Sequence, residues 1–145
     1  MDALELIKQD HKRLRKLLSE TLEAEGADRE PRMDHLRAEL VAHERMEEEV
    51  FYPRLRNEQK AREEVLEGYE EHHVADVLLD ELLEVPAETD LWKAKVKVLK
   101  ENVEHHMEEE ETELFKKARA VLDGGELEQL GARMERIKRS AEDAD

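Results

Sequence analysis

The side chains best suited to bind a metal or move a proton recur in a pattern: His11, then His43 with Glu47, His72 with Asp76, and His106 with Glu110, each pair four residues apart. Residues four apart share one face of a helix, so each pair can aim two donors at one place. Imidazole and carboxylate without sulfur suit iron, manganese or zinc, and six or seven donors suit two ions better than one. The chain has no cysteine, which excludes thiolate sites, disulfides and cysteine nucleophiles. Other metal motifs fit poorly. The stretch HERME has Glu47 where an HExxH zinc protease has its second histidine. A ferritin-like centre needs two Glu-x-x-His pairs, and only Glu70-x-x-His73 is present.

Long segments of helical periodicity must position these residues, with sparse breaks between them. The first segment ends at Gly26, the second starts at Pro31 and stops at Pro53, and a short PRLRN corner follows. The third runs from 58 to 85 before Pro86, and the fourth follows a cap at Thr89 or Asp90 and stops at the DGG of 123–125. Connections this short favour antiparallel neighbours, and no internal repeat argues otherwise. The expected fold is all-α: an antiparallel up-down-up-down four-helix bundle over 1–122, with an additional C-terminal helix and polar tail over 123–145. That helix carries Leu127, Leu130, Met134 and Ile137 on one stripe and should pack on the bundle.

Inward-facing positions of a bundle recur at alternating steps of three and four. The first helix gives Leu4, Ile7, His11, Leu14 and Leu18; the second gives Met33, Leu36, Leu40, His43, Glu47 and Val50. The third gives Val65, Tyr69, His72, Asp76, Leu79 and Leu83; the fourth gives Trp92, Val96, Leu99, Val103, His106, Glu110 and Leu114. In every seam a histidine begins the polar interruption. Registers through His73 or His105 are poorer, and His35 lies off its seam. One such histidine is commonly a hydrogen-bonded core residue, but one from each of four helices, three with a carboxylate a turn later, points to a metal. A buried carboxylate without a partner costs several kcal/mol, and the seams set no Lys or Arg beside Glu47 or Glu110. The neighbouring Glu44, Glu48, Glu49, Glu108, Glu109 and Glu111 read as solvated faces, with Glu44 the candidate for an extra ligand.

With 40 acidic against 24 basic residues the 145-residue chain carries a formal charge of −16, which repels phosphate backbones and anionic headgroups. Nucleic acid and membranes are therefore not expected as partners. No signal peptide or spanning apolar run is visible, so the reading is a soluble, cytoplasmic protein.

The motifs QDHKRL with His11, AHERMEEEVFYP with His43 and Glu47, YEEHHVADVLLDEL with His72, and VEHHMEEEETELF with His106 and Glu110 resemble the hemerythrin-like (HHE cation-binding) family over roughly residues 3 to 120. The resemblance implies a non-haem di-iron centre with an oxo or hydroxo bridge, in which Glu47 and Glu110 bridge the irons and His11, His43, His72 and His106 are terminal ligands. Manganese or zinc are alternatives. Oxygen-carrying hemerythrins have a histidine at the position of Asp76, and an anionic group there disfavours reversible oxygen release. The implied function is binding or sensing dioxygen or a related small oxidant, such as peroxide or nitric oxide. Rivals are an enzyme consuming peroxide or nitric oxide, iron storage, and a metal-free helical module for a protein partner.

Overall fold

The computed structural model describes residues 1–143, and their regular structure is entirely helical. Helix α1 (Ala3–Glu23) starts in a capping box: Asp2 accepts the Glu5 N–H at 2.9 Å while the Glu5 carboxylate accepts the Asp2 N–H at 3.1 Å. Helix α2 (Arg29–Met46) begins two residues ahead of the expected Pro31 and does not stop at Pro53. It continues through a wide turn, Glu47–Phe51, into α3 (Tyr52–Arg56). Pro53 falls in the first turn of α3, just past the wide turn, where a missing N–H and a bulky ring are tolerated. Helix α4 (Arg62–Glu84) ends ahead of Pro86, and α5 (Asp90–Glu109) starts where the Thr89 hydroxyl accepts the Trp92 N–H. A second wide turn, Glu110–Leu114, leads into α6 (Phe115–Val121), and α7 (Gly124–Asp143) follows.

The long helices form an antiparallel bundle in which α1 packs on α2 and α5, and α4 packs on α5. Helix α7 lies across α1 and α2. Gly131 permits that approach, since a Cβ there would collide with the backbone of Met1 and Asp2. Leu127, Leu130 and Met134 of α7 are buried with Leu4, Ile7, Phe51, Leu55 and Phe115 in one apolar cluster. A second cluster gathers Leu14, Leu18, Leu36, Leu79, Trp92 and Leu99. His11, between Ile7 and Leu14 in sequence, is fully buried in the layer dividing the two. Each large side chain in the clusters contributes about 1.5–3 kcal/mol on burial, which offsets the cost of that polar layer.

The seams of α1, α2 and α5 are buried where expected; that of α4 is not. The buried line of α4 is Val65, Gly68, His72, Ala75, Leu79 and Leu82, while Asp76 and Leu83 are exposed. Both lines alternate steps of three and four about the 3.6-residue repeat, and the face of α4 turned to the bundle takes the three-residue step from His72 to Ala75. Among the described residues no helix is long and apolar enough to cross a membrane.

Candidate metal centre

In the polar layer, one ligand atom each from His11, His43, Glu47 and Glu110 lie within 4.8 Å of one another, and so do atoms of Glu47, His72 and His106. Glu47 belongs to both groups. His43 Nε2 and His72 Nε2 each stand 3.2 Å from Glu47 Oε1. His11 Nε2 stands 3.0 Å from Glu110 Oε1, and His106 Nε2 stands 3.4 Å from Glu110 Oε2. All six residues are buried. His73, His105 and His35 are exposed, as their registers imply.

Each imidazole is oriented from outside. His11 Nδ1 lies 2.7 Å from Glu111, His43 Nδ1 2.9 Å from Asp10, His72 Nδ1 2.8 Å from Glu48, and His106 Nδ1 2.8 Å from Glu71. An ionised carboxylate only accepts hydrogen bonds, so each ring donates through Nδ1 and turns Nε2 to the centre. That orientation is the one in which carboxylates hold metal-binding histidines. Asp10 is itself paired with Lys138 of α7, and Glu111 accepts from Arg15 at 2.9 Å. The reading of the flanking glutamates as solvated faces therefore fails for Glu48 and Glu111, which turn back onto imidazoles, and for Glu44, which is buried.

The inward atoms are short of partners. His11 Nε2, His43 Nε2, both oxygens of Glu47 and Glu110 Oε1 have no hydrogen bond, because the close approaches above lack the required alignment. Orphaned buried polar atoms are rare and costly, and five converging on one layer make a donor set that a cation would satisfy.

Tyr52, the first residue of α3, joins this layer. Its hydroxyl donates to Glu110 Oε2 at 2.6 Å and lies 3.4 Å from His72 Nε2 and 3.3 Å from His106 Nε2. The wide turn puts it there: the Tyr52 N–H bonds the Glu47 carbonyl five residues back, and the ring stacks on His72 with centroids 5.3 Å apart. Gly68 makes room, since a Cβ there would lie 2.7 Å from the Tyr52 oxygen.

Electrostatics bind the layer together. Burial alone lowers an imidazole, yet the charge of Glu47 and the hydrogen bond His43 donates to Asp10 push His43 up to about 10. Burial is likewise overcome at His72, which Glu47 and Glu48 raise to about 9, and at His106, which Glu110 raises well above 6.5. Burial works against the Glu110 carboxylate, but His106 holds it well below its usual range. Protons on these rings thus occupy the role a cation would take. The Tyr52 phenol is raised by burial and by the charges of Glu110 and Glu47, so it stays protonated.

Asp76, expected beside His72, lies in neither group. It is exposed and faces Glu44, whose carboxyl is pushed up to about 9 by burial and by the charges of Asp76 and Glu48, against the lowering effect of His72.

Four imidazoles turned inward around two buried carboxylates, on an antiparallel helical bundle, define a cation-binding four-helix protein. Residues 2–118 match the family described as hemerythrin HHE cation binding domain, and the chain belongs to that family. The crystal structure of a hemerythrin HHE cation binding domain-containing protein from Mycobacterium kansasii is similar, with a TM-score of 0.83 and 28% identity over 97% of this chain and 89% of that one. A curated relative, a DNA nickase of Nostoc sp. (strain PCC 7120 / SAG 25.82 / UTEX 2576), is 26% identical over 139 residues. The match takes in 95% of this chain but 39% of the nickase.

Proposed function

We propose that the chain is a non-haem di-iron protein that binds or senses dioxygen or a related small oxidant. The observation that carries this reading is the set of four histidines, each donating Nδ1 to a carboxylate and presenting Nε2 to Glu47 or Glu110. His11, His43, Glu47 and Glu110 would hold one ion and Glu47, His72 and His106 the other, with Tyr52 and Glu110 beside the second. Bound iron would supply reversible one-electron chemistry and an open position for a small ligand. The chain's own residues fix the imidazoles, keep a phenol proton against Glu110 and exclude bulk water. Next to His43, His72 and His106 a void of about 10 Å³ is walled by Leu14, Leu40 and Met107, at the lower limit for one water-sized molecule. Asp76 is left to act on Glu44.

The test is metal content per chain by mass spectrometry, on protein grown with iron and desalted. About two irons per chain is the expected result. Folded protein without transition metal would leave an acidic helical interaction module instead, and loosely exchanging iron would indicate storage.

A second reading, consumption of peroxide, is favoured by the Tyr52 hydroxyl, a proton source inside the centre. Steady-state peroxide loss that falls in Tyr52→Phe while iron content holds would select it. DNA nicking is not carried across from the relative, because a formal charge of −16 opposes contact with phosphate.

A further inference from the structure

Acidic residues surround the centre unevenly. A cavity of about 110 Å³ has walls carrying Glu64, Glu67, Glu71, Glu109 and Glu113, and it reaches His106 and Glu110. Burial marks its direction: Glu67 and Glu113 are exposed, Glu71 and Glu109 half-buried, and His106 and Glu110 only 7% and 3% exposed. Glu110 carries the unpartnered Oε1. At the rim, ligand atoms of Glu71, His105 and Glu109 lie within 4.8 Å of one another. Glu71 also accepts from His106 Nδ1, so one side chain connects rim and centre. At the walls, Lys117 is paired with Glu64. Slight desolvation, and then the charges of Glu109, Glu63 and Glu71, raise the Glu67 carboxyl above its ordinary value. On the opposite side, Asp10 is buried and covered by Lys138.

We infer that this cavity is the path by which divalent cations reach the centre, with Glu71, His105 and Glu109 as a weak transit site at its rim. The inference rests on the centre being a cation site. A hydrated dication gains from each carboxylate as it sheds water, and exposed carboxylates release it again, so the lining speeds passage without trapping the ion. A neutral oxidant gains nothing from such a lining, and an anion is repelled.

The experiment follows cobalt(II) uptake by stopped-flow absorbance in the full chain stripped of metal and checked for parent-like helix content. Two triple variants are compared with the parent: Glu67→Gln, Glu109→Gln, Glu113→Gln at the cavity, and Glu23→Gln, Glu25→Gln, Glu30→Gln at the far end of α1 and start of α2. The cavity triple should slow uptake about tenfold and flatten its dependence on salt. Bound cobalt at equilibrium should match the parent, and release should slow alongside uptake so that affinity moves less than the rate. The remote triple, with the same loss of charge, should load close to the parent's rate. Equal slowing in both triples, or none in the cavity triple, overturns the path. A parent that binds no cobalt at equilibrium overturns the centre itself, and the path with it. If the stripped chain loses helix, release from loaded protein into excess chelator reads the same route, because ions leave by the way they arrive.

Discussion

The half of the molecule from α1 to α3 and the half from α4 to α6 place matching groups at matching positions. In each, a lone histidine on the first helix, His11 or His72, faces a His-x-x-x-Glu pair on the second, followed by a wide turn. An acidic residue precedes each lone histidine, and Asp10 and Glu71 accept from the paired histidine of their own half. An acidic residue follows each buried glutamate, and Glu48 and Glu111 accept from the lone histidine of the other half. Two of the differences between the halves shape the centre. Five residues past the buried glutamate, one half has Tyr52, with its hydroxyl in the centre, and the other has Phe115, fully buried in the apolar cluster. Asp10 is sealed under Lys138 while Glu71 opens onto the acidic cavity. The matching positions supply the ligands, and the departures from the match give the centre a phenol on one side and an opening on one face.

The strongest way to break the comparison is at Glu47, which both groups share. Glu47→Ala is expected to reduce bound metal to near zero rather than to half. It should also remove the metal-dependent part of stability, about 4 kcal/mol at a thousandfold excess over the dissociation constant. Thermal melts with and without metal check this, and retention of one ion per chain would show the halves to be independent.

Protonation gives the next largest effect. In chelated protein the raised values of His43, about 10, and His72, about 9, contribute stability that is complete below about 6.5 and lost as pH rises through 9 to 10. Glu44, raised to about 9, adds a loss that starts above its ordinary 4.5. Asp10 and Glu111, each lowered to about 2, contribute stability that is complete above their ordinary values and lost as pH falls toward 2. Denaturant midpoints of chelated protein should therefore fall steeply on the alkaline side, and loaded protein should resist because the metal replaces the protons.

Exchanging the aromatic pair sharpens the comparison. Phe115→Tyr should cost about 1–3 kcal/mol by burying an unpaired hydroxyl, with metal content unchanged. Tyr52→Phe should cost about 1 kcal/mol for the lost hydrogen bond to Glu110, yet shift the visible absorption of loaded protein. Gly68→Ala should cost about 1–3 kcal/mol, because crowding a fully buried ring outweighs the gain of about 1 kcal/mol in helix propensity. It should also reproduce the spectrum of Tyr52→Phe by driving that ring from its place. Chemical denaturation and absorption spectra measure all three.

How far the sequence foretells this centre depends on whether one helix suffices to read a position. His11, His43, His106, Glu47 and Glu110 fall on straight apolar seams, and a 3.6 period finds them without reference to neighbours. Asp10, Glu48, Glu71 and Glu111 sit on helix flanks and act on rings of adjacent helices, so their role depends on relative helix rotation, which periodicity does not contain. The acid beside each lone histidine and each buried glutamate is the signal that was there to find. Ala75 is buried yet, being small, leaves no mark on an apolar pattern, so nothing in the sequence sets its face above that of Asp76. Tyr52 was invisible for another reason: in a regular helix the fifth residue past Glu47 sits about 140° away from it. Pro53 as a stop failed on the same wide turn.

Each wide turn also makes spacing matter in a way that residue type does not. Losing any one residue between Glu47 and Phe51 would let the rod relax to an ordinary helix, with little harm to its own hydrogen bonding. In an ordinary helix the fourth residue past Glu47 lies within about 40° of it, so Tyr52 would stay close to the layer and Leu55 close to its cluster. A deletion in the straight segments on either side would instead turn everything beyond it by about 100°, so among sequences of this design single-residue gaps should fall within these two five-residue windows rather than beside them.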